Sequence, residues 1–299
     1  MNHKIINPIN NENTYEMGTN MDITKQLYLA KQFQEIHHRN KMFILPNAWD
    51  VGSAVIYEKF NFPAVGTTSA GLAYSLGYSD GEKIDFEHIV QIVKQITQRI
   101  SIPLSVDIEL GYADTIDGIV ENVTKLIEAG AVGINIEDGY SKPAPYLENL
   151  DIQIKKIQAI SKLKKKLGIP FVLNARTCVF FIKAGKEEER LSIAIERANA
   201  FHKSGADCIF IPGAIEECNI SKLIENIPAP INILATPMAN NLENLERLGV
   251  RRLSLGSAPV RAAYSNLIET VKQIQDENKI SKLLDHDFSY EIANKLFAH

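Results

Sequence analysis

The feature that most constrains the fold is a repeated alternation of short apolar runs with stretches of helical periodicity. Residues Ile89, Val93 and Ile96, for example, recur at the spacing of one helix face. Similar stripes occupy 114–129, 152–167, 188–204 and 260–275. The apolar runs predict strands at 42–45, 64–68, 104–109, 133–137, 171–176, 208–211, 232–235 and 252–255. Eight strands, each followed by a helix, predict an α/β fold of the TIM type, a (β/α)8 barrel.

One such barrel accounts for most of the 299 residues, because barrels of this type take about 250. A doubly wound open sheet is the alternative. It would need fewer strands and usually a glycine-rich first turn, which the segment 47–50 is not. We expect a flexible arm over residues 1–21 and a single barrel domain over 22–299, with a helical tail from about 277.

Composition excludes several classes of function. A net charge of −4 argues against a nucleic-acid partner, which favours a basic patch. No apolar run approaches the roughly 18 residues of a membrane span, so no membrane partner is expected. The cysteines, Cys178, Cys208 and Cys218, are odd in number and form no C-x-x-C pair. Reduced thiols and a cytoplasmic location are therefore expected.

Two carboxylates lie at the end of the third predicted strand. Because side chains alternate along a strand, Asp107 and Glu109 point to the same face. Like charges on one buried face repel each other unless a cation or a shared proton offsets them. This segment therefore indicates a divalent metal site.

Neighbouring strand ends add further polar residues, and barrels of this type place their chemistry at these ends. Asp80 follows the second strand, and Glu137 ends the fourth, in phase with Asn135. Four acids on adjacent strand ends suit Mg²⁺ or Mn²⁺, with Asp107, Asp80, Glu109 and Glu137 as candidate metal residues. Taken singly, each acid could instead cap a helix or pair with a lysine.

Substrate-binding residues are predicted beside the acids. Arg176 can grip a substrate carboxylate in a bidentate manner, or form an ion pair with Glu137 or Asp107. Backbone amides of the small residues after the second strand can form an oxyanion site, although a plain tight turn is the alternative. The candidate substrate-binding set is Thr68, Ser69, Ala70, Asp80, Arg176, Asn135 and Asn174.

The segments NAWD, TTSAGLAYSLGYSDGE, VDIELGY, INIEDG and NAR, in this order, resemble the isocitrate lyase / phosphoenolpyruvate mutase superfamily over about residues 40–265. The resemblance is to its phosphonomutase-like and oxaloacetate decarboxylase-like branch. It implies a Mg²⁺-bound 2-oxo acid stabilised as an enolate. It also implies a last helix exchanged between subunits, in a homodimer or homotetramer.

By the same resemblance, Asp107 is the direct metal ligand, and Asp80, Glu109 and Glu137 hold the metal's water shell. Glu109 stands where an aspartate is more usual. Arg176 matches the arginine that binds the substrate carboxylate, and Ser69 and Ala70 match the backbone donors at the 2-oxo acid. We therefore predict Arg176 and Glu137 as catalytic residues.

The loop after the fourth strand decides which reaction is expected. Lyases of isocitrate and 2-methylisocitrate carry Lys-Arg-Cys-Gly-His here, with cysteine as the acid–base group, but residues 140–147 hold no cysteine or histidine. Phosphonopyruvate-forming mutases carry a longer loop with an asparagine, which this loop also lacks. Oxaloacetate decarboxylation needs only the metal, the oxyanion site and a proton from water or a tyrosine, such as Tyr140 or Tyr146.

The leading hypothesis is a Mg²⁺-dependent carbon–carbon lyase acting on a small 2-oxo or 2-hydroxy dicarboxylic acid, with an enolpyruvate-type intermediate and Tyr140 as a third catalytic residue. A phosphoenolpyruvate phosphonomutase or a phosphonopyruvate hydrolase is the alternative among enzymes. A barrel that binds a 2-oxo acid without turnover is the alternative of another class. Cys178, just past Arg176, is more simply explained as buried packing.

Overall fold

The computed structural model describes residues 23–140, 145–214 and 216–298. Within these ranges the chain forms a closed parallel barrel surrounded by helices. The strands are β1 Phe43–Leu45, β2 Asn47–Ala48, β3 Val65–Thr67, β4 Leu104–Asp107, β5 Gly133–Glu137, β6 Gly139–Tyr140, β7 Tyr146–Leu147, β8 Val172–Arg176, β9 Cys208–Phe210, β10 Ile231–Leu234 and β11 Arg252–Ser254. All eight predicted strands are present, with ends within two residues of the predicted ones.

The main sheet runs in the order β1-β11-β10-β9-β8-β5-β4-β3-β2, with parallel neighbours throughout. Only Pro46 separates β1 from β2, so one continuous segment pairs with both ends of this order and closes the barrel. Asn47 strengthens the closure: its Oδ1 accepts hydrogen bonds from the amides of Leu255 and Gly256, and its Nδ2 donates to the carbonyl of Thr67. The predicted (β/α)8 architecture is confirmed.

Helices cover the outside of the barrel. They are α1 Ile23–His38, α2 Val51–Lys59, α3 Ser69–Ser75, α4 Phe86–Arg99, α5 Ile116–Glu128, α6 Leu150–Leu167, α7 Arg190–Lys203, α8 Glu217–Asn226, α9 Leu242–Leu248, α10 Ala258–Glu277, α11 Ser281–Leu284 and α12 Tyr290–Phe297, with a 3₁₀ turn at Glu187–Glu189. None of the helices in the described ranges combines the length and the apolar character needed to cross a membrane.

Helix α1, which the sequence pattern did not predict, closes the N-terminal end of the barrel. Phe33 is fully buried and makes edge-on ring contacts with His37 and Phe43. A Cβ on Gly133, the first residue of β5, would lie 2.6 Å from the Phe33 ring, so a glycine is required at this contact. Gln26 anchors the start of the helix by donating to the carbonyls of Ile127 and Ala131.

The C-terminal helices leave an apolar stripe uncovered. Helix α10 exposes Leu267 at 56% and Ile268 at 54%, next to Val271 and Ile274. Helix α12 returns to the barrel, where Phe297 packs near Gly52 and accepts a hydrogen bond from Arg99. The tail contains the helices α11 and α12, and exchange of the last helix between subunits stays a prediction. The predicted arm over residues 1–21 lies outside the described residues.

Candidate active site

A cavity of about 720 Å³ lies at the C-terminal ends of the strands. Strand register explains which polar residues reach it: Asp107 pairs with Asn135, Asn135 with Asn174, and Glu137 with Arg176. Of the predicted site residues, those that line the cavity are Thr68, Ser69, Ala70, Asp80, Asp107, Glu109, Asn135, Glu137 and Arg176.

Asp107 is held at the centre of this group. Its Oδ1 accepts a hydrogen bond of 2.7 Å from Asn135 Nδ2, and its Oδ2 faces the amide of Ser69 at 3.5 Å. The amide of Asp107 donates to Thr67 Oγ1. Asn174 Nδ2 donates in turn to Asn135 Oδ1, so a chain of amides orients the Asp107 carboxylate.

Glu109 is placed by an unusual backbone rather than by a regular strand. β4 ends at Asp107, and Glu109 has φ = 49°, in the left-handed region that non-glycine residues rarely adopt. Its carboxylate accepts hydrogen bonds from Tyr112 Oη at 2.8 Å and from the amide of Glu82. Glu82 Oε1 accepts from the amides of Leu110 and Tyr112 and so holds the turn in shape.

Mutual repulsion and burial raise the pKa of three of the four acids. Burial raises the pKa of Glu109 to about 8, and the charges of Asp80 and Asp107 add to the rise. Burial raises the pKa of Glu137 to about 7, although the Arg176 guanidinium opposes this rise. The pKa of Asp80 is raised by burial and then by Asp107. Asp107 acts on all three, so a cation beside Asp107 would relieve the repulsion for the whole group.

Arg176 lies on β8, directly beside Glu137 of the neighbouring strand β5. Its Nη1 lies 2.7 Å from Glu137 Oε2, which is the ion pair considered as an alternative for this residue. The rings of Phe181 and Phe210 lie 4.8 and 5.6 Å from the guanidinium carbon. Cys178 is buried behind Glu137 and its Sγ lies 3.3 Å from Glu137 Oε2 as a donor. The aromatic rings and the ion pair hold the guanidinium in one orientation beside the acids.

Two predicted site residues need separate mention: Asn174 lies behind the cavity wall, and Tyr140 is described by its backbone alone. Asn174 is fully buried and does not line the cavity; it acts through Asn135, so direct contact with a substrate is not supported. Tyr140 contributes its backbone to the hairpin with Tyr146, and its role as a proton donor stays a prediction. Residues 141–144 of the same loop lie outside the described residues.

Other residues of the site were not singled out from the sequence. Glu82 and Tyr112, which hold Glu109, act through a turn whose shape the strand pattern does not reveal. Arg252 lines the cavity and is buried, although a strand start on the opposite rim is normally read as structural. The available sequence signal was that Arg252 precedes the inward-facing Ser254 by two residues and so points to the same face of the strand.

The donor set fits a cation bound mainly through water. Among the described residues, no three His, Cys, Asp or Glu side chains are arranged to hold a metal ion directly. A site with one direct carboxylate, Asp107, and other acids further out matches Mg²⁺, which usually keeps several waters. Burial raises the pKa of both Glu109 and Glu137, and the charge of Asp107 adds to each rise, so an ion beside Asp107 would oppose that second contribution.

The match to known families agrees with this geometry. The family model described as phosphoenolpyruvate phosphomutase matches residues 33–275, which is most of the chain. The chain belongs to this family. The predicted membership of the isocitrate lyase / phosphoenolpyruvate mutase superfamily is thereby confirmed.

Individual relatives are mostly lyases. A 2-methylisocitrate lyase of Halalkalibacterium halodurans is 28% identical over 84% of this chain and 78% of its own length. An oxaloacetate decarboxylase of Rhodopseudomonas palustris is 26% identical, covering 77% and 79%. An uncharacterised protein of Mycobacterium tuberculosis is 32% identical, covering 84% and 91%.

Among solved structures, a Burkholderia cenocepacia protein provisionally described as a lyase or mutase has a TM-score of 0.85 and 29% identity. The match covers 92% of this chain and 98% of that protein. The protein is therefore an enzyme of this superfamily, of the lyase or mutase kind.

Proposed function

We propose that this protein is a Mg²⁺-dependent carbon–carbon lyase for a small 2-oxo or 2-hydroxy dicarboxylic acid, with Mn²⁺ as a substitute ion. The observation that supports this most is the group of acids around Asp107, which faces Arg176 in a cavity at the strand ends. The carboxylates around Asp107 can bind a cation, and the neighbouring guanidinium of Arg176 can bind a substrate carboxylate. The names of the lyase relatives agree with substrates of this class.

Each residue has a role in this proposal. Asp107 would hold the ion directly, and Asp80, Glu109 and Glu137 would hold its waters. When bound, the ion supplies Lewis-acid stabilisation of negative charge on the 2-oxygen. Arg176 binds the carboxylate next to the reacting carbon, and the amides of Ser69 and Ala70 donate to the same part of the substrate.

The bond-breaking step leaves an electron pair on the substrate. In decarboxylation of oxaloacetate, the C3–C4 bond breaks, CO₂ leaves, and the pair remains as the enolate of pyruvate. A proton then adds to C3, and Tyr140 or water is the proposed donor. Glu137 is kept in place by Arg176 and Cys178. The sequence of the hairpin loop favours this chemistry over cysteine-dependent cleavage.

The test is a substrate screen with Mg²⁺, in which pyruvate is detected with a coupled dehydrogenase and the enzyme-free rate is subtracted. Oxaloacetate, 2-methylisocitrate and 2,3-dimethylmalate are the compounds to compare. Asp107→Asn should lower turnover by at least about a hundredfold, because one electrostatic contact to the reacting group is worth this much. The exposed Asp114→Asn is the matched control. A folded wild-type enzyme that forms no 2-oxo acid from any of them would disprove the lyase proposal.

A phosphonomutase or phosphonopyruvate hydrolase is the second candidate, because the matching family model is described as a phosphomutase. Release of phosphate from phosphonopyruvate, or its conversion to phosphoenolpyruvate, would favour this candidate. If the wild type turns over any of these compounds and Asp107→Asn does not, the alternative of a barrel that only binds its ligand is rejected.

We also infer that the protein forms a homodimer or homotetramer in the cytoplasm. The apolar stripe of helix α10 supports an oligomer, because a second copy can cover it. Ile268→Glu should then lower the mass measured by light scattering, while Lys272→Glu on the same helix should not. The free cysteines, two of them buried, agree with a reducing compartment.

A further inference from the structure

Two loops at the rim of the cavity each carry one of the acids proposed to hold the metal's waters. Asp80 lies in the loop 76–85, between helices α3 and α4, and Glu109 lies in the turn 108–115, between β4 and α5. Neither acid is therefore held by the hydrogen bonds of a strand or a helix. The two carboxylates also repel each other: burial raises the pKa of Glu109, and the charge of Asp80 adds to this rise. Contacts between the loops must therefore hold the acids together before an ion binds.

Glu82 makes such contacts in both directions. Its backbone amide donates to both carboxylate oxygens of Glu109, at 3.1 Å each. Its own Oε1 accepts hydrogen bonds from the amides of Leu110 at 3.0 Å and Tyr112 at 2.8 Å. These contacts form the Glu82 clasp. Because Glu82 is two residues from Asp80, the clasp joins the loop that carries Asp80 to the turn that carries Glu109.

The backbone of the clasp adopts a conformation that needs support from surrounding contacts. Glu82, Glu109 and Tyr112 have φ values of 52°, 49° and 55°, in the left-handed region. Non-glycine residues keep this conformation only where their surroundings impose it. The turn is also anchored on its other side, since Asn122 Nδ2 donates to the carbonyl of Tyr112 at 3.0 Å. The clasp therefore attaches the loop of Asp80 to a turn that is already fixed to helix α5.

The Glu109 side chain depends on this support more than a shorter acid would. A glutamate has one more rotatable bond than an aspartate, so more rotamer entropy is lost when its carboxylate is fixed. The Glu82 amide and Tyr112 Oη fix the Glu109 carboxylate through hydrogen bonds within the protein. This entropy is then lost on folding and not on ion binding, which favours a higher affinity for the ion.

We propose that Glu82 is a positioning residue, which holds Asp80 and Glu109 together in the metal-free protein and does not itself bind the ion. This inference rests on the metal site of the lyase proposed above. The outer acids are then in place when an ion arrives, so little binding free energy is lost to ordering the two loops. Residues that orient metal-binding groups in this way typically contribute about tenfold to a hundredfold in metal affinity.

Calorimetric titration with Mg²⁺ in the absence of substrate tests this role. Glu82→Ala and Glu82→Gln lose the same charge, but only the glutamine keeps an oxygen that accepts from the amides of Leu110 and Tyr112. The difference between them therefore measures the clasp, and Glu82→Ala should bind Mg²⁺ about tenfold more weakly than Glu82→Gln. Glu121→Ala, which removes an exposed carboxylate of α5 outside the cavity, is the control and should bind as the wild type does.

Hydrogen exchange of the wild type tests the clasp without any substitution, so it decides even if Glu82→Ala does not fold. In the metal-free protein, the amides of Leu110 and Tyr112 should exchange at least about tenfold more slowly than in an unstructured peptide. Because linkage is reciprocal, saturating Mg²⁺ should slow their exchange by a further factor of about ten. Exchange as fast as in a peptide without Mg²⁺, or no slowing by bound Mg²⁺, would overturn the proposal.

The outcomes separate this inference from the proposed function. If the wild type binds Mg²⁺ but Glu82→Ala and Glu82→Gln bind it equally, Glu82 acts only through its charge. The positioning role is then wrong, while the metal site and the lyase proposal stand. If the wild type binds neither Mg²⁺ nor Mn²⁺, the proposal of a metal-dependent lyase fails, and the positioning role fails with it.

Discussion

The raised pKa of Glu109 predicts that the metal-free protein loses stability as the pH rises. A carboxyl group whose pKa is higher in the folded state than in the unfolded chain is harder to ionise in the folded state. Its favourable contribution is complete below the unfolded pKa of 4.5 and is lost as the pH passes the folded pKa of about 8. At about 1.4 kcal/mol for each pKa unit, the full effect is roughly 5 kcal/mol.

A second buried group acts in the opposite direction at lower pH and defines the useful window. Burial lowers the pKa of His37 to about 3, so the neutral imidazole stabilises the fold as the pH rises to 6.5, the value for an unfolded chain. Above this pH His37 contributes no further change, while Glu109 still titrates. The expected loss due to Glu109 between pH 6.5 and about 9 is therefore roughly 2 kcal/mol.

The assay is urea denaturation in a chelating buffer at constant ionic strength across this window. Glu109→Gln should flatten the slope, because the amide mimics the protonated acid, whereas Glu128→Gln on the surface of α5 should leave it unchanged. Saturating Mg²⁺ should also flatten the wild-type slope, since the cation offsets the repulsion among Asp80, Asp107 and Glu109. The reasoning is wrong if wild type and Glu109→Gln lose stability equally between pH 6.5 and 9.

Three further predictions concern the framework of the site. Arg197→Met should cost about 3–5 kcal/mol in urea denaturation, because it leaves the fully buried Asp138 without its 2.6 Å partner; a loss below about 1 kcal/mol would show that the pair is solvated. Gly133→Ala should lower the melting temperature through a cost of about 1–3 kcal/mol, since its Cβ meets the Phe33 ring, and Phe33→Ala should relieve that clash in the double variant. Tyr112→Phe, which removes the hydrogen bond to Glu109, should raise the Mg²⁺ concentration needed for half-maximal activity severalfold with little effect on unfolding; an unchanged Mg²⁺ requirement would remove Glu109 from the metal's surroundings.

The sequence predicted the barrel and most of the cavity wall because both depend on local patterns. Strand ends at Asp107, Glu137 and Arg176 follow from apolar runs that stop at polar residues, and parallel strands bring such ends to one rim. Helix α1 was missed although Leu29, Phe33 and Ile36 follow the helical period, because the polar residues Gln26 and His37 share its buried face and blur the apolar stripe. The prediction that Glu109 faces the same side as Asp107 was correct, but strand alternation is not the cause. A left-handed turn held by Glu82 places Glu109 there instead.

The sequence alone determined that this chain is a (β/α)8 barrel with an acidic rim and one arginine on the next strand end. Both properties follow from the order of the residues, because helical periodicity and the alternation of side chains along strands are local patterns. Only the tertiary structure decided which polar groups are satisfied and which are not. Asn174 is turned inward to support Asn135, and the buried Arg252 keeps its Nη1 without a hydrogen-bond partner among the described residues. Burial and pairing depend on residues distant in the chain, because the cost of an unpaired charge is set by everything that surrounds it.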